Sequence, residues 1–86
     1  MWRKYRARLY PEMKVLKDML KLRGITYGIM AARLGIAEGT FYSKINGFHC
    51  FTLPEVAMMA EVLGMTPADA GRLMLVDYMG REAALK

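Results

Sequence analysis

The side chains that most often bind metals or act as nucleophiles are scarce in this 86-residue chain. It has one histidine and one cysteine, His49 and Cys50, which are adjacent in the sequence. A structural zinc site takes four protein ligands, so this pair would need a second copy of the chain to complete one. We therefore interpret His49 and Cys50 as loop residues and expect no metal and no cofactor. A lone cysteine also excludes an internal disulfide and suits a reducing compartment.

Sequence signatures of catalysis are missing as well. We find no glycine-rich phosphate loop, no paired-carboxylate motif and no serine–histidine–aspartate signature. The protein is therefore expected not to be an enzyme and to have no small-molecule substrate. No apolar run approaches the ~18 residues that a membrane span needs. The basic N-terminus also lacks the apolar core of a secretory signal. We expect no membrane partner, with a role at a membrane surface for this basic and aromatic segment as the alternative.

The sequence is instead rich in positively charged side chains, with a net charge of +5. Residues 1–23 hold eight Lys or Arg against two acids, whereas residues 51–86 hold three against five. This asymmetry favours a polyanionic partner. The first ten residues, MWRKYRARLY, interleave cations with aromatic rings, and the candidate phosphate-binding side chains there are Arg3, Lys4, Arg6 and Arg8. The same segment could instead pack as a short helix, or be dispensable if the functional unit begins at Met13.

The remaining sequence has a helical periodicity throughout. A first helix before Gly24 would bury an apolar stripe of Val15, Leu16, Met19, Leu20 and Leu22. Thr26 can cap a short helix over YGIMAARL, and the next helix would run from about Ala37 to Ile45. Capping boxes at residues 52–55 and 66–69 predict two more helices. No segment alternates with a period of two, so we predict a compact, all-α, five-helix domain.

The spacing within residues 26–47 is the most specific feature of the sequence. Two helices that cross closely need a small residue at the crossing, and Ala31 is suitably placed. The sharp turn between them needs a residue that tolerates positive φ, and Gly35 provides it. Three apolar residues, Ile36, Phe41 and Ile45, can hold the second helix against the first. Phe41 and Ile45 are four apart and so share one helix face.

This ordered set, Thr26, Ala31, Leu34-Gly35-Ile36, Thr40-Phe41 and Asn46-Gly47, resembles the helix-turn-helix of the Cro/XRE-type phage-repressor family. The resemblance continues through FTLPEVAMMAEVLGMTPAD and covers roughly residues 13–75. It implies a lambda-repressor-like domain at 13–75, a basic N-terminal arm at 1–12 and a C-terminal helical extension at 76–86. It also implies a phage or prophage transcriptional regulator, with repressor as the expected role, that binds an operator in double-stranded DNA through the major groove as a homodimer. Such a protein would work in the cytoplasm of a bacterial host, in association with the nucleoid.

The geometry of the family divides the candidate DNA contacts into two groups. The base-reading positions would be Glu38, Gly39, Tyr42 and Ser43. The backbone contacts would be Tyr27, Thr40, Lys44, Asn46 and His49, together with the cations of the arm. Tyr27 has an equally good interpretation as a packing residue of the surface.

Residues 37–39 depart from the pattern of the family. Ala37 stands where a polar capping residue is usual, which should weaken the start of that helix. Glu38 could interact favourably with the positive end of the helix dipole. It could also accept a hydrogen bond from the N4 amino group of cytosine. Gly39 is costly inside a helix and could be present because the backbone approaches DNA closely.

The C-terminal segment GRLMLVDYMGREAALK is apolar nearly all round. One face can enter the core of the monomer, and the other needs a second partner. We expect a symmetric dimer through this helix, with contacts from Met74, Leu75, Tyr78 and Met79. An alternative function is a protein-interaction module on the same fold, such as an antitoxin or a phage-encoded inhibitor of a host protein. The basic charge of residues 1–23 favours DNA.

Overall fold

The computed structural model describes residues 8–84, with side chains described for residues 8–79. Within this range the chain forms five helices and no strand, which confirms the predicted all-α class. The helices are α1 (Lys14–Leu22), α2 (Tyr27–Leu34), α3 (Glu38–Ile45), α4 (Leu53–Leu63) and α5 (Pro67–Ala84). Helix α4 packs against both α2 and α5, and α5 also packs against α1. No helix in this part of the chain is long and apolar enough to cross a bilayer.

Threonine side chains cap the N-termini of three of the helices, as their positions in the sequence predict. The Thr26 hydroxyl accepts the N–H of Ile29, three residues into α2. Thr52 and Glu55 form the complete reciprocal capping box at the start of α4. Thr66 accepts the N–H of Asp69, but the Asp69 carboxylate turns outward to Arg72, so the second box is half formed. Helix α3 has Ala37 at its N-cap position and therefore no side-chain cap.

The core combines apolar residues from all five helices with flanking loop residues. Its buried members are Met13, Leu16, Leu20, Met30, Ala31, Phe41, Ile45, Phe51, Met59, Leu63 and Met74. Four of them are methionines, whose unbranched side chains fill irregular space between short helices. The stripe predicted for α1 is narrower than expected, because Leu22 is 86% exposed and Val15 is 40% exposed.

The first turn of α1 is capped by a residue 62 positions away in the sequence. Met13, at the N-cap position, has no side-chain acceptor. The two carboxylate oxygens of Asp77 accept the N–H groups of Val15 and Leu16, at 3.1 and 3.0 Å. Asp77 is 6% exposed, and its negative charge lies at the positive end of the helix. This contact fixes α5 against α1.

Residues 8–13 form a strap across the end of α3. The carbonyl of Gly47 accepts the N–H groups of Leu9 and Tyr10, at 2.8 and 2.9 Å, and the carbonyl of Ile45 accepts that of Met13. Gly47 has a φ of 91°, and a Cβ there would lie 2.2 Å from the Tyr10 carbonyl oxygen. Glycine is therefore required here for the strap to lie so close to the chain.

The C-terminal boundary predicted at residue 76 does not coincide with a break in the fold. Helix α5 continues from Pro67 to Ala84. Asp77 caps α1, and the Tyr78 hydroxyl accepts the N–H of Phe51 at 2.9 Å. Residues 76–78 therefore belong to the folded domain and not to an appended extension.

Candidate nucleic-acid interface

Helices α2 and α3 are joined by a turn that depends on Gly35. Its φ is 76°, in the left-handed region, and the N–H of Ile36 donates back to the Ala31 carbonyl at 3.0 Å. Residues other than glycine are strained in this backbone conformation. Phe41 of α3 is fully buried and meets the Tyr27 ring edge to face, with centroids 5.4 Å apart. These contacts fix α3 across the start of α2 in a helix-turn-helix arrangement.

The side chains on the face of α3 that points away from the core are mostly small and uncharged. Glu38, Gly39, Thr40 and Tyr42 are exposed, and Ser43 is half-buried. An open groove runs along this face and onto the loop after α3, and it is lined by Ala37, Gly39, Thr40, Ser43, Lys44, His49 and Cys50. The groove brings most of the predicted DNA contacts of α3 together on one side of the molecule.

The carboxylate of Glu38 lies beside the start of α2. A Cβ built on Gly28 would be 3.1 Å from Glu38 Oε1 and 3.9 Å from the Thr26 hydroxyl. Glu38 is also the acidic residue in the first turn of α3. Its charge is therefore near the positive ends of two helices, an arrangement that stabilises a carboxylate. This geometry favours the helix-start interpretation of Glu38.

Lys44 is engaged in an ion pair within the domain. Its Nζ lies 2.7 Å from both carboxylate oxygens of Glu55, and the two side chains are 14% and 12% exposed. Burial alone would raise the pKa of Glu55, but the Lys44 and Thr52 hydrogen bonds outweigh burial and lower it. Lys44 thus joins α3 to the start of α4, which conflicts with its predicted role in phosphate contact.

Asn46 is also an internal residue, because it is 5% exposed. Its amide donates to the Tyr42 carbonyl at 2.9 Å, and its Oδ1 accepts from Lys17 Nζ at 2.6 Å. Lys17 Nζ bonds Glu12 as well, and this bond lowers the pKa of Glu12. The predicted contact of Asn46 with DNA phosphate does not fit this burial. The pattern Asn-Gly signalled the turn, but nothing in the sequence signalled a lysine 29 residues away.

Arg8 is the described member of the predicted phosphate-binding arm. Its Nε donates to the Asn46 carbonyl at 2.6 Å, and its guanidinium carbon lies 5.4 Å from the centroid of the Phe48 ring. The side chain remains 49% exposed, so part of the guanidinium still faces solvent. The other arm cations, Arg3, Lys4 and Arg6, lie outside the described residues.

Tyr27 connects the exposed face of α3 to the cations of α1. Its ring is half-buried and lies 6.3 Å from that of Tyr42, measured between centroids. On its other side, Tyr27 lines a groove between α1 and α2 with Lys17, Lys21 and Thr26. Lys21 was not among the predicted phosphate contacts, because its place beside α2 depends on how α1 packs.

His49 and Cys50 are exposed on the loop after α3. A hydrogen bond with the Cys50 thiol raises the pKa of the Tyr10 hydroxyl. Across residues 8–79, no three His, Cys, Asp or Glu side chains are grouped so that they could hold a metal ion.

The residues predicted as dimer contacts on α5 divide between its two faces. Met74 is 4% exposed and belongs to the core of the monomer, so it is not available to a partner. Tyr78 packs inward, with its ring 5.6 Å from that of Tyr10. Leu75 and Met79 are each 58% exposed. They share one stripe of the helix with Val76, which is 50% exposed and was not predicted as a contact.

Comparison with known proteins agrees with this geometry. No curated protein and no solved structure matches the chain. A family model for the Cro/C1-type HTH DNA-binding domain matches residues 15–72, which is more than half of the 86 residues. The match spans α1 to the beginning of α5, including the turn at Gly35. The chain therefore belongs to the Cro/C1-type helix-turn-helix family, and it is a DNA-binding protein.

Proposed function

We propose that the protein is a sequence-specific transcriptional regulator that inserts α3 into the major groove of an operator. The observation that carries this proposal is the open groove along α3, together with the Tyr42 ring beside Tyr27 and the second groove that Tyr27 lines with Lys21. In helix-turn-helix proteins the second helix reads base edges while the first crosses the backbone.

The contacts of this interface divide into two classes. Gly39, Tyr42 and Ser43 are the proposed base-reading positions, and Glu38 would join them only by leaving Gly28. Phosphate contacts come from Tyr27, His49 and exposed cations. Thr40, which was also predicted to contact phosphate, lines the same groove as Gly39 and Ser43 and is grouped with the base-reading positions. The cations proposed are those of the arm, Arg3, Lys4, Arg6 and Arg8, with Lys21 added. Phosphate contacts supply affinity without sequence information, and base contacts supply the discrimination.

A homodimer is the second part of the proposal. Leu75, Val76 and Met79 form an exposed apolar stripe on α5, and such stripes are often covered by a partner. A symmetric dimer presents two recognition helices about 34 Å apart, one turn of DNA. Sedimentation should show a dimer for the wild type and a shift toward monomer for Met79→Glu. A monomer at micromolar concentration with and without DNA would refute the dimer.

The role of repressor of phage or prophage type rests on the resemblance of residues 26–47. Acting on DNA would place the protein in the cytoplasm of a bacterial host, at the nucleoid. A promoter that carries the selected operator should lose transcription in vitro when the protein is added. Increased transcription would show that the protein is an activator and not a repressor, and the DNA-binding proposal would still hold.

Selection of bound fragments from random duplex DNA tests the central claim. We expect a palindromic consensus, with an affinity that falls by orders of magnitude between 50 and 200 mM salt, since each phosphate contact releases counterions. Arg6→Ala should weaken binding to every sequence, whereas Tyr42→Ala should change which operator is preferred. Equal losses on random and consensus DNA for both variants would contradict this division.

A protein-interaction module on the same fold would behave differently. Its affinity for DNA would be weak and would show no consensus. The concentration of cations in residues 1–23 has no evident purpose on a protein-binding surface, so it favours the DNA proposal.

A further inference from the structure

The side chains that usually recognise purines are not available on α3. Guanine is read most often by Arg or Lys, and adenine by Asn or Gln, each through two hydrogen bonds. Helix α3, with the sequence EGTFYSKI, has one cation and no amide. That cation, Lys44, is held by both oxygens of Glu55. The amide that follows the helix, Asn46, is buried and bonded to Lys17 and Tyr42.

Methyl and hydroxyl groups remain on the exposed face of α3. Ala37 and Thr40 contribute methyl groups to the groove, and Thr40 and Ser43 contribute hydroxyls. Gly39 lies between them, and the position of its missing Cβ has no neighbour within 4 Å. The part of the groove formed by α3 is therefore open at Gly39, and its neighbouring side chains carry methyl and hydroxyl groups. A base could approach the backbone of α3 directly.

Glu38 is also directed away from this groove. Its Oε1 lies 3.1 Å from the Cβ position of Gly28 on α2, near the positive end of that helix. Moving the carboxylate to a cytosine amino group would give up this favourable position. The charged group on α3 that could select a G·C pair is thus directed elsewhere in the free protein.

We propose that the α3 groove reads thymine, through contact of its C5-methyl group with Ala37 and Thr40. Of the four bases, thymine alone presents a methyl group in the major groove. The hydroxyls of Thr40 and Ser43 accept or donate single hydrogen bonds to neighbouring bases. The operator half-site would therefore be rich in A·T pairs at the positions facing α3. This inference rests on the proposed function and specifies which bases its site recognises.

Modified bases test the proposal directly. The consensus operator from the selection is synthesised in three forms: unmodified, with deoxyuridine replacing thymidine one position at a time, and with 7-deazaguanine replacing guanine. The first change deletes a methyl group and the second deletes the N7 acceptor of guanine. At a thymine facing α3, loss of the methyl should weaken binding about fourfold, the effect of exposing one methylene-sized group. Loss of guanine N7 should leave affinity unchanged.

Two variants of Thr40 provide a matched pair on the protein side. Thr40→Val keeps the methyl group and removes the hydroxyl, whereas Thr40→Ser does the reverse. The Val variant should retain the fourfold response to deoxyuridine at one thymine, and the Ser variant should lose it. Melting temperatures of both variants check that they are folded.

Each outcome has a definite meaning. A consensus without thymine opposite α3, or sensitivity to 7-deazaguanine without sensitivity to deoxyuridine, would overturn thymine reading while DNA binding stands. A full deoxyuridine response in Thr40→Ser would overturn the contact with Thr40. Absence of any selected consensus would overturn the proposed function and this inference together.

Discussion

Replacing Gly47 by alanine should test how strongly the strap is held to α3. The added Cβ would lie 2.2 Å from the Tyr10 carbonyl oxygen and 3.1 Å from that of Pro11, so the strap must move. Movement breaks the two hydrogen bonds from Leu9 and Tyr10 to the Gly47 carbonyl, each worth about 1 kcal/mol. Alanine at a positive φ costs about 1 to 2 kcal/mol more. We expect a total loss of about 3 to 4 kcal/mol.

The chain contains a matched control in Gly64. Its φ is 72°, and its Cβ position has no neighbour within 4 Å, so Gly64→Ala should cost only the backbone strain of about 1 to 2 kcal/mol. For a domain of this size, 1 kcal/mol corresponds to about 4 to 8 °C in melting temperature. Thermal unfolding followed by circular dichroism should therefore place Gly47→Ala about 8 to 16 °C below Gly64→Ala, since the two differ by about 2 kcal/mol. Equal melting temperatures would show that the strap contributes nothing to stability.

Three further predictions concern other contacts. Asp77→Ala leaves the N–H groups of Val15 and Leu16 without their acceptor and should cost about 2 to 3 kcal/mol in urea unfolding; a loss below about 0.5 kcal/mol would contradict the capping role. The pKa of Glu55 is lowered in the folded state. Its charge therefore stabilises the protein at any pH above the pKa of the unfolded state, about 4.3. This contribution is lost as the pH falls through the pKa of the folded state. Glu55→Gln should therefore melt below the wild type at pH 7, with the difference vanishing in acid; a difference that is independent of pH would refute the charge effect. Gly39→Ala should raise the free energy of unfolding by about 1 kcal/mol, because its Cβ position is open, yet weaken operator binding in a DNA titration; unchanged affinity would mean that the backbone there does not approach DNA.

Local signals in the sequence predicted the helices well. Thr26 and Thr52 each act as the caps that their positions indicated, and Gly35 takes the positive φ that the turn requires. Caps and glycine turns depend on residues within four positions of each other, so one sequence contains the necessary information. The spacing of Phe41 and Ile45 was equally informative about the buried face of α3.

Contacts between residues that are distant in the sequence could not be predicted from such local patterns. Lys44 and Asn46 were predicted to bind phosphate because the family pattern places them near the end of the recognition helix. Their partners, Glu55 and Lys17, come from α4 and α1, and their pairing depends on how these helices meet. For the same reason Met74 was assigned to a dimer, since a helix that is apolar on all sides does not indicate which side faces the core.

The strap sets a limit on how far the chain can be shortened before the recognition helix is affected. Cuts up to residue 7 would remove cations and leave the hydrogen bonds of the strap in place. Cuts beyond Arg8 would free the carbonyls of Asn46 and then Gly47, and these carbonyls lie at the end of α3. A series of N-terminal truncations should therefore separate two effects, a gradual loss of salt-dependent affinity and then an abrupt loss of operator preference.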